Sequence, residues 1–117
     1  MILNYQMCNF ICIFVIQFKV MVVISKTILV EFGGKHADSV ESLNKWYEVC
    51  KQANWKSLSD VKKSFNSVDY VGNDRYVFNI KGNKYRLVAM IFFDIRTVFI
   101  RFIGTHAEYD KVDCTKI

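Results

Sequence analysis

Hydrophobic residues recur with a helical period in the first half of this chain and with β texture in the second. Apolar positions that fit one helix face are Val40, Leu43, Trp46 (or Tyr47), Cys50 and Ala53. This spacing predicts an amphipathic helix of about 38–53, with Asp38 and Glu41 as a capping box. A shorter segment, about 26–32, is a possible helix that Gly33-Gly34 would separate from it.

Short elements are predicted on both sides of these helices. The apolar stretch MVVIS at 21–25 predicts a short strand, and residues 58–65 predict a short helix. After Asn66 the sequence becomes rich in β-branched and aromatic residues, which favour strands. The predicted strands are Arg75–Ile80, Lys84–Phe93 and Thr97–Ile103. The order is β-α-α-β-β-β, which indicates an α+β fold with an antiparallel sheet packed against N-terminal helices.

The hairpin at Gly82-Asn83 predicts which side chains share a face of the sheet. A two-residue loop there pairs residues whose numbers sum to about 165, so Asn79 should face Arg86. If the next loop has an even number of residues, Arg101 should lie opposite Met90 and share the face of Arg86. An odd loop would place Arg101 on the other face.

Composition limits the class of protein. The 117 residues include 16 Lys+Arg and 11 Asp+Glu, for a net charge of +5, and 52% are hydrophobic. This length fits one domain and excludes a two-domain enzyme with a separate cofactor module. The positive charge favours an acidic partner, and nucleic acid is the most common one.

The first 20 residues differ from the rest. They carry a single charge, Lys19, and the apolar run Phe10–Ile16 is too short to span a membrane. A signal peptide or anchor is one interpretation, but no basic start and no small-residue cleavage site support it. We favour a start codon assigned too early, with Met21 as the true first residue. The domain prediction is an apolar extension at 1–20, outside the main fold, and one domain at 21–117, with no membrane association.

The cysteines and histidines predict no metal site. Cys8, Cys12, Cys50 and Cys114 form no C-x-x-C motif, and the two histidines are far apart in sequence. We expect reduced cysteines in a cytosolic protein, with Cys50 on a buried helix face.

Two arginines lie inside apolar strands, at Arg86 and Arg101. A guanidinium group is costly to bury, and its fork suits bidentate binding of phosphate. The alternative is a solvated sheet face or an ion pair with Asp94 or Asp69. Beyond the last strand, His106 and Tyr109 are three residues apart, so one helical turn would bring them to the same side. Taken alone, His106 could equally be a surface or capping residue; His36 is assigned no role.

Three long strings in this chain resemble the HigB family of bacterial toxins. They are VFNIKGNKYRLVA at 77–89, IRFIGTHAEYDK at 100–111 and LNKWYEVCKQANWKS at 43–57. The resemblance covers nearly all of 21–117 and excludes 1–20. It implies a RelE-like α+β toxin that cleaves mRNA, usually on the translating ribosome. It also implies a helix-turn-helix antitoxin partner, through which the toxin would contact DNA only indirectly.

The resemblance also implies a set of site residues. Carried over by position, the catalytic candidates are Arg86, Arg101, His106 and Tyr109, with Lys84 and Asn79 as RNA-binding candidates at the edge of the site. Apart from the resemblance, Lys62 and Lys63 are RNA-binding candidates for their charge alone. RNA brings its own nucleophile, the 2′-hydroxyl group, so cleavage needs a base, an acid and cations but no metal or other cofactor. Whether His106 is the acid or the base stays open. The alternatives are a ParE-like toxin that binds gyrase without cleaving RNA, and a non-catalytic RNA-binding domain.

Overall fold

The computed structural model describes residues 20–117. The predictions for the apolar extension, including Cys8 and Cys12, fall on residues 1–19 and lie outside this part. Within residues 20–117, no helix has the length and apolar character needed to cross a membrane.

The order of elements agrees with an α+β fold. The described chain forms, in sequence order, β1 (Val22–Ile24), α1 (Lys26–Lys35), a 3-10 turn (Ala37–Ser39), α2 (Val40–Gln52), α3 (Leu58–Ser64), β2 (Val68–Gly72), β3 (Arg75–Ile80), β4 (Tyr85–Phe92), β5 (Thr97–Thr105) and α4 (His106–Tyr109). The predicted first strand, the three predicted helices and the three long strands are therefore confirmed, with ends shifted by a few residues. The short strand β2 was missed.

Gly33 and Gly34 do not break the first helix, contrary to the sequence prediction. Helix α1 continues through both and ends before His36, whose φ of −132° and ψ of 78° are not helical. Gly33 is buried, and a Cβ atom added there would lie 3.0 Å from Cγ2 of Val40. The absence of a side chain at Gly33 thus lets α1 and α2 approach closely.

The strands form one mixed sheet in the order β1-β5-β4-β3-β2. Strands β2 to β5 pair antiparallel, as expected, but β1 pairs parallel with β5. The helical segment between β1 and the other strands provides the crossover that a parallel pair needs. Strand β2 forms a hairpin with β3 around Asn73 and Asp74, which both have positive φ.

The predicted register holds in one hairpin and fails in the next. Asn79 pairs with Arg86, as predicted. Met90, however, pairs with Phe99, and Arg101 lies in a β-bulge where the register shifts between Val88 and Ala89. The prediction that Arg101 faces Met90 is wrong because four residues, 93–96, separate the paired ends of β4 and β5, which pairs Met90 with Phe99. The bulge then leaves Arg101 without a cross-strand partner.

The main core lies between the helices and one face of the sheet. Its buried side chains from the helices include Leu29, Leu43, Trp46, Cys50 and Val61, and those from the sheet include Phe78, Leu87, Ala89, Ile91, Val98 and Ile100. Burial of Cys50 is confirmed, and this burial raises the pKa of its thiol. The C-terminal segment is joined to the sheet by Arg75, whose Nε donates to the carbonyl of Ile117 at 2.9 Å.

Candidate active site

The candidate site begins where β5 ends and the short helix α4 starts. Thr105 caps this helix: its Oγ1 accepts a hydrogen bond from Glu108 N at 3.2 Å, and Glu108 Oε1 accepts one from Thr105 N at 2.8 Å. Such a capping box satisfies donors that a helix start leaves unpaired. It therefore fixes the backbone of the next residue, His106, directly beside β4.

Both ring nitrogens of His106 have charged partners. Nη2 of Arg86 lies 3.0 Å from Nε2, and Oδ2 of Asp110 lies 3.3 Å from Nδ1. Arginine can only donate, so Nε2 must present its lone pair, and the proton then belongs on Nδ1 beside the carboxylate. The two contacts select one neutral tautomer of His106, with a basic nitrogen directed at a cation.

Tyr109 also contacts Arg86, which confirms that His106 and Tyr109 face the same side of α4. The guanidinium carbon lies 5.1 Å from the centre of the Tyr109 ring, a cation–π geometry. The hydroxyl group donates to Sγ of Cys114 at 3.5 Å. Burial, followed by the contact with Cys114, raises the pKa of Tyr109 to about 12. The hydroxyl group is therefore protonated at neutral pH.

Arg86 is positioned largely by these neighbours. It is half-buried on β4, and its Nε atom is buried with no hydrogen-bond partner among residues 20–117. Its recorded polar contact is the one to His106, while the Tyr109 ring covers the guanidinium group. An arginine with so few fixed bonds has donors left for an incoming anion.

Arg101 is not part of this contact group. It is exposed at the bulge of β5, and in the described part of the chain it has no ion pair with Asp94 or Asp69. The structure also records no hydrogen bond from Arg101 to Arg86 or His106. Its guanidinium group is available to solvent.

Lys84 has a partner that the sequence did not predict. Its ammonium group forms an ion pair with Asp38, whose other oxygen accepts a hydrogen bond from Tyr85 Oη at 2.6 Å. The contact with Lys84, and then that with Tyr85, lowers the pKa of Asp38 to about 2, and the same pair raises the pKa of Lys84. Asp38 thus links the turn before α2 to β4, and the predicted capping bond from its side chain is not formed.

The remaining predicted RNA-binding residues are bonded to other partners or are exposed. Asn79 is the cross-strand partner of Arg86, and its amide donates to Oγ of Ser67 at 3.3 Å. Lys62 and Lys63 are exposed on α3, and Lys63 lies 3.9 Å from Asp60. No hydrogen bond or ion pair in the described chain joins these three residues to His106.

His36 lies in the same groove as His106, although the sequence reasoning gave it no role. The groove has a volume of about 630 Å³ and is bordered by Lys35, His36, Asp38, Lys84, Tyr85 and His106, among others. One sequence signal was present: Phe32 and His36 are four apart, which puts both on one side of a helix. The contact of His36 with Tyr85 on β4, however, depends on the tertiary structure and has no local sequence signal.

Comparisons with known proteins agree on one family. A family model described as HigB_toxin, the RelE-like toxic component of a toxin-antitoxin system, matches residues 39–112. An mRNA interferase HigB of Escherichia coli O6:H1 is 31% identical over 92 residues, which is 77% of this chain and 89% of that protein. The mRNA interferase toxin HigB of Escherichia coli K12 is 44% identical over 55 residues, or 47% of this chain and 52% of that relative.

The matched region contains Arg86, His106, Tyr109 and Asp110. It begins at Ser39, the last residue of the 3-10 turn before α2. Together, the family match over more than half of the chain and the long match to a HigB protein leave one assignment. The chain belongs to the HigB toxin family, the RelE-like toxic components of toxin-antitoxin systems.

Proposed function

We propose that this protein cleaves mRNA by metal-independent transesterification, on the translating ribosome, and that a cognate antitoxin neutralises it. The observation that carries the proposal is the contact of Arg86 Nη2 with His106 Nε2 at 3.0 Å, with Asp110 on the opposite ring nitrogen. This arrangement offers a proton acceptor beside a phosphate-binding cation. RNA cleavage through the 2′-hydroxyl group needs both.

The tautomer of His106 favours the role of base. Nε2 carries a lone pair, and Asp110 stabilises the positive charge that the ring gains when Nε2 takes the 2′-hydroxyl proton. Without substrate, that lone pair accepts from Arg86. A scissile phosphate would attract the guanidinium group, and Nε2 would then be free for the 2′-hydroxyl group.

The other predicted residues have supporting roles in this proposal. Tyr109 holds Arg86 through its ring, and the exposed Arg101 supplies a second cation that can reach an RNA chain. Lys84 adds charge beside the groove while paired with Asp38. Asn79, Lys62 and Lys63 add weaker contacts to the RNA backbone, for which bulk charge and hydrogen bonding suffice.

The proposal includes partners and a compartment. The antitoxin is proposed to be a helix-turn-helix protein, so that contact with DNA is only indirect. The site of action is proposed to be the cytoplasm, where ribosomes carry mRNA. The proposed working unit is 21–117, and a chain that starts at Met21 should fold and cleave like the full chain.

Mapping of cut sites tests the function. Purified ribosomes programmed with an mRNA are incubated with the protein, and new 5′ ends are mapped by primer extension. We expect the wild-type protein to cut, and His106→Ala to cut about 10²–10⁴-fold more slowly while still binding RNA, because it lacks the base. Cutting by His106→Ala at the wild-type rate would remove His106 from the mechanism.

Arg86→Lys separates charge from geometry. Lysine keeps the charge and loses the fork and the planar group under Tyr109, so cleavage should fall. Arg75→Lys is a matched control, because Arg75 is in the same sheet but bonds the carbonyl of Ile117. This control should lower the melting temperature, because it loses bonds to Ile117, with little effect on the cleavage rate. Equal cleavage by Arg86→Lys and the wild-type protein would make Arg86 a structural residue.

A further inference from the structure

We propose that His36 is a second catalytic residue, which donates a proton to the leaving 5′-oxygen atom. This inference rests on the proposed cleavage of mRNA and adds the acid that the reaction needs. The two histidines come from opposite ends of the domain, and both border the groove of about 630 Å³. This volume lies within the ~300–1,000 Å³ typical of ligand pockets, which is large enough for a nucleotide.

The backbone of His36 is fixed on both sides. Its N–H group donates to the carbonyl of Phe32 at 2.8 Å, which closes α1. Its carbonyl accepts hydrogen bonds from Ser39 N at 2.9 Å and from Ser39 Oγ at 2.6 Å, and Ser39 is fully buried. The residue is thus held at a rigid junction between α1 and the 3-10 turn.

The ring of His36 is held by aromatic contacts alone. It stacks on Phe32 with ring centres 4.3 Å apart, and the edge-on ring of Tyr85 lies 5.4 Å away. Phe32 and Tyr85 are themselves buried and packed edge to face at 5.1 Å. His36 is half-buried, and neither ring nitrogen has a hydrogen-bond partner within residues 20–117. Its position is therefore fixed while its nitrogens remain available.

Two adjacent residues of β4 contact the two histidines. Tyr85 packs against His36, and the next residue, Arg86, contacts His106. Successive side chains of a strand point to opposite faces, so His36 and His106 approach the end of β4 from its two sides. A phosphate bound at the mouth of the groove would lie between a proton acceptor and a proton donor.

The contacts of the two histidines assign the base and the acid. His106 Nε2 presents a lone pair, so it takes the 2′-hydroxyl proton as the 2′-oxygen forms a bond to phosphorus. The bond from phosphorus to the 5′-oxygen breaks, and His36, as the cation, gives that oxygen a proton. The products are a 2′,3′-cyclic phosphate and a 5′-hydroxyl group, and the two histidines together neither gain nor lose a proton.

Charged and titratable groups lie around His36 in the groove. Lys35 precedes it on α1, Asp38 follows in the 3-10 turn, and Lys84 and His106 face the groove from the other side. Asp38 is already paired with Lys84 and bonded by Tyr85. The added charge of a bound phosphate would favour the cationic form of His36, which is the form an acid needs.

The test compares His36→Phe with the wild-type protein and with Glu31→Gln. Phenylalanine keeps the aromatic contacts with Phe32 and Tyr85 but cannot donate a proton, and Glu31 is an exposed control on the same helix. The wild-type rate should fall at both low and high pH. His36→Phe should cut about 10²–10⁴-fold more slowly and lose the fall at high pH, while Glu31→Gln should behave like the wild-type protein.

A modified substrate separates acid catalysis from packing. An mRNA with sulfur in place of the 5′-oxygen at the mapped cut site has a leaving group that needs no proton. His36→Phe should cut it within about tenfold of the wild-type rate, whereas His106→Ala should remain slow. Equal slowing of His36→Phe on both substrates, or a wild-type rate on ordinary mRNA, would overturn the inference. Absence of cutting by the wild-type protein would overturn the proposed function as well, so the two failures are distinguishable.

Discussion

Removing the Tyr109 ring should slow cleavage, and removing only its hydroxyl group should not. The ring lies 5.1 Å from the guanidinium carbon of Arg86, and the hydroxyl group points at Cys114 instead of the groove. Tyr109→Leu deletes the aromatic face, and Tyr109→Phe keeps it. The two variants therefore separate the positioning of Arg86 from any chemistry of the hydroxyl group.

The size of the effect follows from the cation–π contact. Such contacts contribute ~0.5–1 kcal/mol at exposed sites and about 2 kcal/mol when desolvated. Tyr109 is half-buried, so a value of about 1 kcal/mol applies, which corresponds to a roughly fivefold lower rate for Tyr109→Leu. Tyr109→Phe should stay within about twofold of the wild-type rate. It should also keep the wild-type pH profile at neutral pH, since the pKa of Tyr109 is about 12.

Single-turnover cleavage of a defined mRNA on ribosomes is the appropriate assay, with circular dichroism to confirm that each variant is folded. Tyr109→Leu should lose rate without losing the fall at low or high pH. If Tyr109→Phe is as slow as Tyr109→Leu, the hydroxyl group takes part in the reaction and the assignment of Tyr109 as a positioning residue is wrong.

Three further changes test the supports of the site. In Gly104→Ala the new Cβ atom would lie 2.6 Å from Phe102 Cζ. The free energy of unfolding, measured by urea denaturation, should therefore fall by ~1–3 kcal/mol. An unchanged midpoint would contradict the close packing. Asp110→Ala should slow cleavage only about fivefold, because the side chains of His106 and Asp110 are both half or more exposed. A roughly 10³-fold loss of rate in the single-turnover cleavage assay would make Asp110 a catalytic residue. Asp38 has a lowered pKa, so its contribution to stability is present above pH ~4 and is lost as the pH falls through about 2. Asp38→Asn should therefore be less stable than the wild-type protein at pH 7, and this gap should close near pH 2 in urea denaturation; a constant gap would refute the ion-pair reading.

Local patterns predicted much of the fold. The Gly82-Asn83 turn fixed the pairing of Asn79 with Arg86, because a two-residue loop leaves one register. The spacing of His106 and Tyr109 predicted that both would lie on the same side of a helical turn, and both contact Arg86.

Features that depend on distant contacts could not be read in this way. No local signal marks the bulge that leaves Arg101 without a cross-strand partner, because bulges depend on how two strands twist together. Asp38 has the sequence pattern of a helix cap, yet its carboxylate binds Lys84 and Tyr85 across the fold. Strand β2 differs from these features, because the turn residues Asn73-Asp74 are a local signal for its hairpin with β3.

The candidate site exists only when both ends of the domain are in place. One wall of the groove comes from the end of α1 and the other from the start of α4, which are separated by about 70 residues, and β4 lies between them. His36 packs on Tyr85 and His106 contacts Arg86, so neither histidine is oriented until β4 has joined the sheet. A partly folded chain would therefore carry the same residues without the arrangement that cleavage needs. The proposed cleavage activity would then be confined to the fully folded state.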